Sequence, residues 1–395
     1  MRRDIISQYE MEKNLIERQF DSAPFFFSSP CNTMMGVGVK TLVETPIPFT
    51  KLATKAKQLL NDAKSSEIDN PVLFGIVPFH EKHPTRFVIP KRLYVSSNIR
   101  PQRVHPSKKI RCTGAVSTPT RDGFKQGVKG VLDLFETTEL SKVVLSRVIE
   151  LGMEKEICFQ TLLKNLLLAN PKAYTFAANI DDRGTKLIGA SPELLVAKTG
   201  NRIISNPLAG SRPRSPIKSE NDSARQSLLT TVKDLHEHRI VVEEVEQVMS
   251  HYCDNLYTPM IPSVIETQSM LHLSTLLEGY VLDPTLSVLQ VASKLHPTPA
   301  VCGYPREKAY KTIRDLECFE RGYFTGMLGW CDSRGNGEWV VTIRCAEVQK
   351  RQLRIFAGAG IVDQSIPQSE LEETDAKMAT MFKATGVELN GQLIA

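Results

Sequence analysis

The 395-residue chain has no apolar run near the ~20 residues needed to span a bilayer, which excludes a membrane-spanning helix. Its opening stretch, "MRRDIISQYEMEKNLIERQF", lacks the apolar segment of a secretory signal, so a cytoplasmic location is expected. The eight cysteines (Cys31, Cys112, Cys158, Cys253, Cys302, Cys318, Cys331, Cys345) contain no CxxC pair. That argues against a zinc site or disulfide framework and for reduced, mostly buried thiols. No GxGxxG follows a strand-like segment and no Walker motif is present, which disfavours dinucleotide and P-loop proteins. Repeats and low-complexity tracts are also missing. Acids are wholly absent from Lys82 to Arg111, where nine Lys/Arg alternate with Pro84, Pro90, Pro101 and Pro106. A solvated, loop-rich surface segment is the expected reading. A polyanion-binding patch is the alternative, but only Phe87 and Tyr94 are there to stack on bases.

What is present, at 41% hydrophobic residues, suffices for a large core or two domains. Period-two alternation predicts strands over 141–151, 173–180, 186–189, 193–198, 202–206, 339–348 and 352–357. The segment 335–362 reads as a hairpin of two long strands ending in a glycine-rich turn. Helical spacing predicts helices over 124–136, 156–169, 220–253, 285–295, 305–317 and 368–385. After Ile240 the third of these looks apolar nearly all round, as a buried helix does. Strands come in groups with helices between the groups. That is an α+β pattern with large, mostly antiparallel sheets rather than a doubly wound one.

Three cations are embedded in apolar strands. In "LSKVVLSRVIEL" (140–151), Lys142 and Arg147 fall on opposite faces, and in "VVTIRCAEV" Arg344 repeats the anomaly. An unpaired buried ammonium is costly, so Lys142 is frayed to the surface, paired or used. An embedded guanidinium prefers a planar carboxylate. Several acids are candidate partners, each with a plainer reading. Glu237 in "HEH" (236–238) is a structural salt bridge or one carboxylate ligand to a hard ion, since adjacent helical residues diverge by ~100°. In "SELEETDAKMATMF" (369–382), Glu370, Glu373 and Lys377 share a face: an exposed ion pair, or an acidic face closing on a cation. Glu193 in "GASPELL" is a surface turn acid, or a general acid with a raised pKa. "PLAGSRPR" offers Gly210 and Ser211, and "AGAG" offers Gly358 and Gly360; each is a turn or a close approach to an anion. "HPTPAV" containing Ala300 is a proline-stiffened loop, and His272 is a lone histidine in apolar surroundings. From residues alone the expectation is an enzyme-like protein, with a small carboxylate and a divalent ion as candidate substrate and cofactor; spacing does not show that these groups meet.

Taken in order, "SKVVLSR", "GASPELL", "PLAGSRPR", "HEHRIVVEEV", "LHLSTLLEG", "LHPTPAVCGYP", "GWCDSRGNGEWVVTIRCAEV", "IFAGAGIV" and "ELEETDAKM" resemble the chorismate-utilising enzymes over roughly 120–390. The resemblance implies a single chorismate-binding domain over 1–395, with 1–115 its variable N-terminal part and 120–390 its core. It implies an α+β fold of two large, mostly antiparallel sheets packed together with helices outside, and a Mg²⁺-dependent site. By resemblance Lys142 is the general base and Glu193 the general acid. Glu237, Glu373 and Glu370 hold Mg²⁺. Arg344 and Lys377 bind substrate carboxylate, His272 orients the substrate, and Gly210, Ser211, Ala300 and Gly358 line the pocket.

Within this family the isochorismate-forming branch of siderophore pathways is the nearest likeness. Amine-transferring members carry Gln where Lys142 stands, so the lysine argues for water as nucleophile. Salicylate-forming members share the lysine and are the alternative. Ala300 replaces a threonine usual in other branches, "IVVEEV" departs from the "MIVDLxRND"-like continuation of the anthranilate and salicylate types, and the lysine of the "PIKG"-type element of aminodeoxychorismate synthases is absent from "PLAGS". A monomer acting on chorismate without nucleic acid or membrane is expected, and Arg147 is expected to be a structural arginine paired with an acid.

Overall fold

The structure, a computed structural model, describes residues 23–97 and 110–388. Residues 98–109, most of the proline-rich half of the basic segment, lie outside the described residues, as does the N-terminal stretch read above for a signal. The described part of that segment contributes the strand Thr85–Ser97, so it is not simply a loop.

Eighteen strands form one hydrogen-bonded network, and Leu208–Pro213, Ser263–Glu266 and Met270–Ser274 form a separate three-stranded sheet. The two expected large sheets are halves of that network. One half runs Cys253–Tyr257, Leu277–Val281, Arg202–Asn206, Leu194–Thr199, Gly337–Val341, Met327–Asp332 and Val72–Val77. The other runs Phe25–Ser28, Tyr174–Asn179, Lys186–Ser191, Cys345–Gln349, Gln352–Ile361, Lys142–Met153 and Ile110–Thr118. The long strands Asn32–Thr45 and Thr85–Ser97 join them at one edge. Buried residues of both halves, including Phe25, Phe74, Phe176, Leu328, Val340 and Phe356, pack into one apolar cluster. Both faces of most central strands are therefore covered, which explains their near-continuous apolar runs.

Eight α-helices are present among the described residues. Arg121–Thr137 starts where the Thr120 hydroxyl accepts the Gly123 N–H at 3.1 Å, and buries Phe124, Val128 and Val131 at helical spacing. Pro367–Thr385 starts at a proline and stops at Gly386, whose φ of 66° is the left-handed turn glycine favours. The long helix expected over 220–253 is two, Lys218–Thr230 and Val232–Ser250. Thr230 and Thr231 turn their hydroxyls back onto the carbonyls of Gln226 and Ser227, at 2.8 and 2.7 Å. Those bonds satisfy the last turn, and the chain leaves the helix at extended Thr231. Nor is the second helix buried all round: only Asp234, His238, Val241, Val245 and Met249, one face, are inside.

The strand expected over 339–348 is also broken, because Arg344 has a φ of 52° and leaves the β region. Residues 337–341 pair within the first half and 345–349 within the second. The adjacent chain does the same at Pro192–Glu193, between Lys186–Ser191 and Leu194–Thr199. Two neighbouring chains thus cross between the halves together, tied by Ala190 N–H to Arg344 O at 3.1 Å and Val341 N–H to Glu193 O at 3.3 Å. This crossing delivers both Glu193 and Arg344 to one place. All eight cysteines are free thiols, but Cys31, Cys158 and Cys318 are exposed, against the expectation of mostly buried ones.

Candidate active site

A cavity opens beside the crossing. Its lining includes Glu193, Gly210, Ser211, Glu237, His272, Ala300, Arg344, Gly358, Gly360, Glu373 and Lys377. The separate small sheet brings Gly210, Ser211 and His272, and Pro367–Thr385 brings Glu373 and Lys377. Val232–Ser250 brings Glu237. The apolar wall, unmarked in the sequence, includes Val144, Leu208, Val301, Phe324, Ile343 and Phe356.

Lys142 opens its strand wholly buried, with Nζ 3.0 Å from Glu237 Oε1. Of the three options left by its position, fraying to the surface is excluded. Gly360 on the adjoining strand makes room for this pair: a Cβ there would lie 2.2 Å from Glu237 Oε1 and 3.0 Å from Lys142 Cε. Glu237 itself is an ion-pair partner and a cavity residue at once.

Glu193 is 2% exposed, so the surface-turn reading fails. Burial pushes its carboxyl up to about 8, and the positive charges of Lys142, Lys377 and Arg344 and the Leu208 N–H offset that only in part. It is protonated at neutral pH. Arg344 is buried as well, and its Nη2 bonds His272 Nε2 at 3.1 Å while Nη1 has no hydrogen-bond partner among the described residues. Since a guanidinium only donates, Nε2 is the acceptor nitrogen; burial and Arg344 hold His272 well below its ordinary pKa, and neutral. An orphaned guanidinium N–H in a cavity is a seat for an anionic group.

The carboxylates expected to hold a metal each lie against an ammonium. Glu373 meets Lys377 at 2.6 Å and accepts the Ser211 hydroxyl at 2.8 Å. The exposed pair read from spacing is therefore three-quarters or more enclosed, at 19% exposure on each side. Burial works to raise the Glu373 pKa, but Lys377, Ser211 and Lys233 outweigh it and hold the carboxyl low. Glu370 does not line the cavity; it is 1% exposed and bonds Lys233 at 2.5 Å. Burial and the neighbouring Glu373 raise its pKa. Lys233 lies one helical turn before Glu237, a spacing that could have pointed to it. Among the described residues no three His, Cys, Asp or Glu are gathered into a metal cluster. The donors still suit a hard divalent ion in kind: all are carboxylate oxygens, and Glu370 and Glu373 are near enough to disfavour each other's charge.

Arg147 donates to Thr374 Oγ1 at 2.8 Å and to Asp375. It is the structural, acid-paired arginine expected, on the face away from Lys142.

A neutral buried carboxylic acid and an unpaired guanidinium line this cavity, while Lys142 does not line it but sits against the cavity residue Glu237; together they define an enzyme site for a small, carboxylate-bearing substrate. Residues 88–386 match the family described as chorismate binding enzyme, and the chain belongs to that family. It is 60% identical to the vibriobactin-specific isochorismate synthase of Vibrio cholerae serotype O1 over 396 residues, covering 100% of both chains. It is 39% identical to isochorismate synthase DhbC of Bacillus subtilis, over 98% of each. A crystal structure of a putative 2,3-dihydroxybenzoate-specific isochorismate synthase, DhbC from Bacillus anthracis, superposes with a TM-score of 0.89. It is 41% identical and covers 95% of this chain and 100% of that one. No described helix is long and apolar enough to cross a membrane.

Proposed function

We propose that this protein is an isochorismate synthase, interconverting chorismate and isochorismate for a 2,3-dihydroxybenzoate-type siderophore pathway. The observation that carries the reading is the pairing of buried Lys142 with a Glu193 carboxyl pushed up to about 8, around one cavity. Water is a poor nucleophile at neutral pH, so its attack on ring carbon C2 needs a base. As the neutral amine, Lys142 takes the proton while the C2–O bond forms, and Glu237 stabilises the ammonium so created. The ring double bonds shift, the C4–O bond breaks, and Glu193 gives its proton to the departing hydroxyl, which leaves as water. One water enters and one leaves, so the reaction is an isomerisation.

Arg344 and Lys377 take the substrate carboxylates; the free Nη1 of Arg344 is the donor left for one. His272 accepts from the other terminal nitrogen, Nη2, and so fixes the guanidinium. Mg²⁺ is the cofactor this donor set suits: Glu237 and Glu373 would hold it, with Glu370 alongside. When bound it supplies a hard positive charge for the ring-borne carboxylate.

Purified protein given chorismate and Mg²⁺ should yield isochorismate by chromatography, and chelation with EDTA should stop turnover. Salicylate plus pyruvate as main products would replace this reading with salicylate synthase.

A further inference from the structure

The strand carrying Lys142 has a continuous partner on one side, Gln352–Ile361, but an interrupted one on the other. There Gly303–Tyr304 pairs with Val143 and Lys142, and Cys112–Thr118 pairs with residues 148–153. Among the described residues no strand lies beside positions 144–146 on that edge. Backbone groups so buried need partners. Val144 N–H finds Cys302 O at 2.9 Å, and side chains take the rest. Arg321 Nη2 donates to Val144 O at 2.8 Å, and Glu317 Oε1 accepts Ser146 N–H at 2.8 Å.

Arg321 and Glu317 are themselves joined by two bonds of 2.7 and 2.5 Å, with side chains 3% and 5% exposed. The remaining guanidinium donors reach Val301 O at 2.8 Å and Thr325 Oγ1 at 3.2 Å, and the group lies 4.4 Å over the Phe79 ring. All five N–H groups are thereby used. Val144, Val301 and Thr325 all line the cavity, and they come from three separate segments. Thr325 has a φ of 58°, which a β-branched residue keeps only when its surroundings impose it.

We propose that Arg321, held by Glu317, is a positioning residue for the reaction. The pair stands in for the missing strand and locks three cavity-wall segments together, so that Lys142, two residues from Val144, keeps its aim at the substrate. This rests on Lys142 being the base. A lysine cannot reproduce the role, because no ammonium presents five donors in a planar fork.

The experiment compares initial rates of Arg321→Lys, Arg321→Gln and Glu317→Gln with a stability control, Leu163→Ala, in the fully buried core of the helix Phe159–Ala169. The Arg321 variants should lose about 10- to 100-fold in kcat with KM for chorismate within about threefold, the signature of a displaced catalytic group. Leu163→Ala should lower the melting temperature at least as much without that loss. Equal kcat per folded molecule in the Arg321 variants and the control would overturn the proposal. Should the Arg321 variants fail to fold, the near-isosteric Glu317→Gln decides alone by the same kcat criterion. Lys142→Ala separates the premises: if it is fully active, the base assignment and this proposal fall together. If it is inactive while Arg321 and Glu317 variants are unimpaired, only this proposal falls.

Discussion

Lys142 and Glu193 are both buried beside one cavity, yet only one of them could be found by pattern. Lys142 interrupts a period-two apolar strand, so its burial follows from its neighbours. Glu193 follows a Ser-Pro turn, where acids are usually solvated, and it is inside only because two distant chains cross there. With its carboxyl raised to about 8, Glu193 carries the proton through the neutral range and loses it as pH rises through that value. Formation of isochorismate should therefore decline above about pH 8, because the acid form is the active one. Glu193→Gln should cut kcat by about 10²-fold or more and remove that alkaline limb. A pH–rate profile of both proteins checks the sign. Lys142→Ala should lower kcat by about 10²- to 10⁴-fold while chorismate binding, followed by titration, stays within a few fold.

At the scale of elements, long periodic segments were legible and interruptions were not. The helix expected at 124–136 is Arg121–Thr137, and the strand at 141–151 is Lys142–Met153. The break at Thr231 is made by hydroxyls bonding backward, and the break at Arg344 by a left-handed residue. Neither alters hydrophobic spacing, so neither shows in the pattern. Both aim residues at the cavity, since the first restarts the helix bearing Glu237 and the second turns Arg344 inward. Gly360 illustrates the same point within a strand: its lack of a side chain reads as a turn, but its purpose is room for the Lys142–Glu237 pair. Gly360→Ala forces those two side-chain ends apart, and because they are the ends of flexible side chains the fold can yield. We expect kcat to fall at least about tenfold while stability in urea falls by only about 1 kcal/mol, the low end of the usual cost of overpacking. A loss of stability with normal kcat in the surviving protein would contradict this.

For the whole molecule, residues 23–97 are part of the frame that holds the site. Phe25–Ser28 pairs with Tyr174–Asn179, and Asn32–Thr45 with Thr85–Ser97 closes the edge between halves. Pairings so remote in sequence leave no local signal, which is why two sheets were foreseen and their single connected network was not. A second tie joins the strand of Lys142 to the helix of Glu373. Arg147, wholly buried, bonds Thr374 and Asp375, and Arg121 adds a contact to Asp375 at 2.9 Å. Burial lowers the Arg147 pKa, but the adjacent Asp375 works to keep it charged. Asp375→Asn leaves a buried guanidinium without its counter-charge, normally a large loss. The Asp375 side chain is 31% exposed, so water softens the effect to about 2–3 kcal/mol in urea unfolding. Activity behaves differently. Leu371, Met378 and Met381 still seat the helix through their apolar contacts, so folded molecules retain the cavity. Asp375→Asn should thus melt earlier while keeping kcat within about threefold below its transition. It is the mirror image of Gly360→Ala, and measuring both variants by urea unfolding and initial rates separates the bonds that hold this fold from the spaces that let it work.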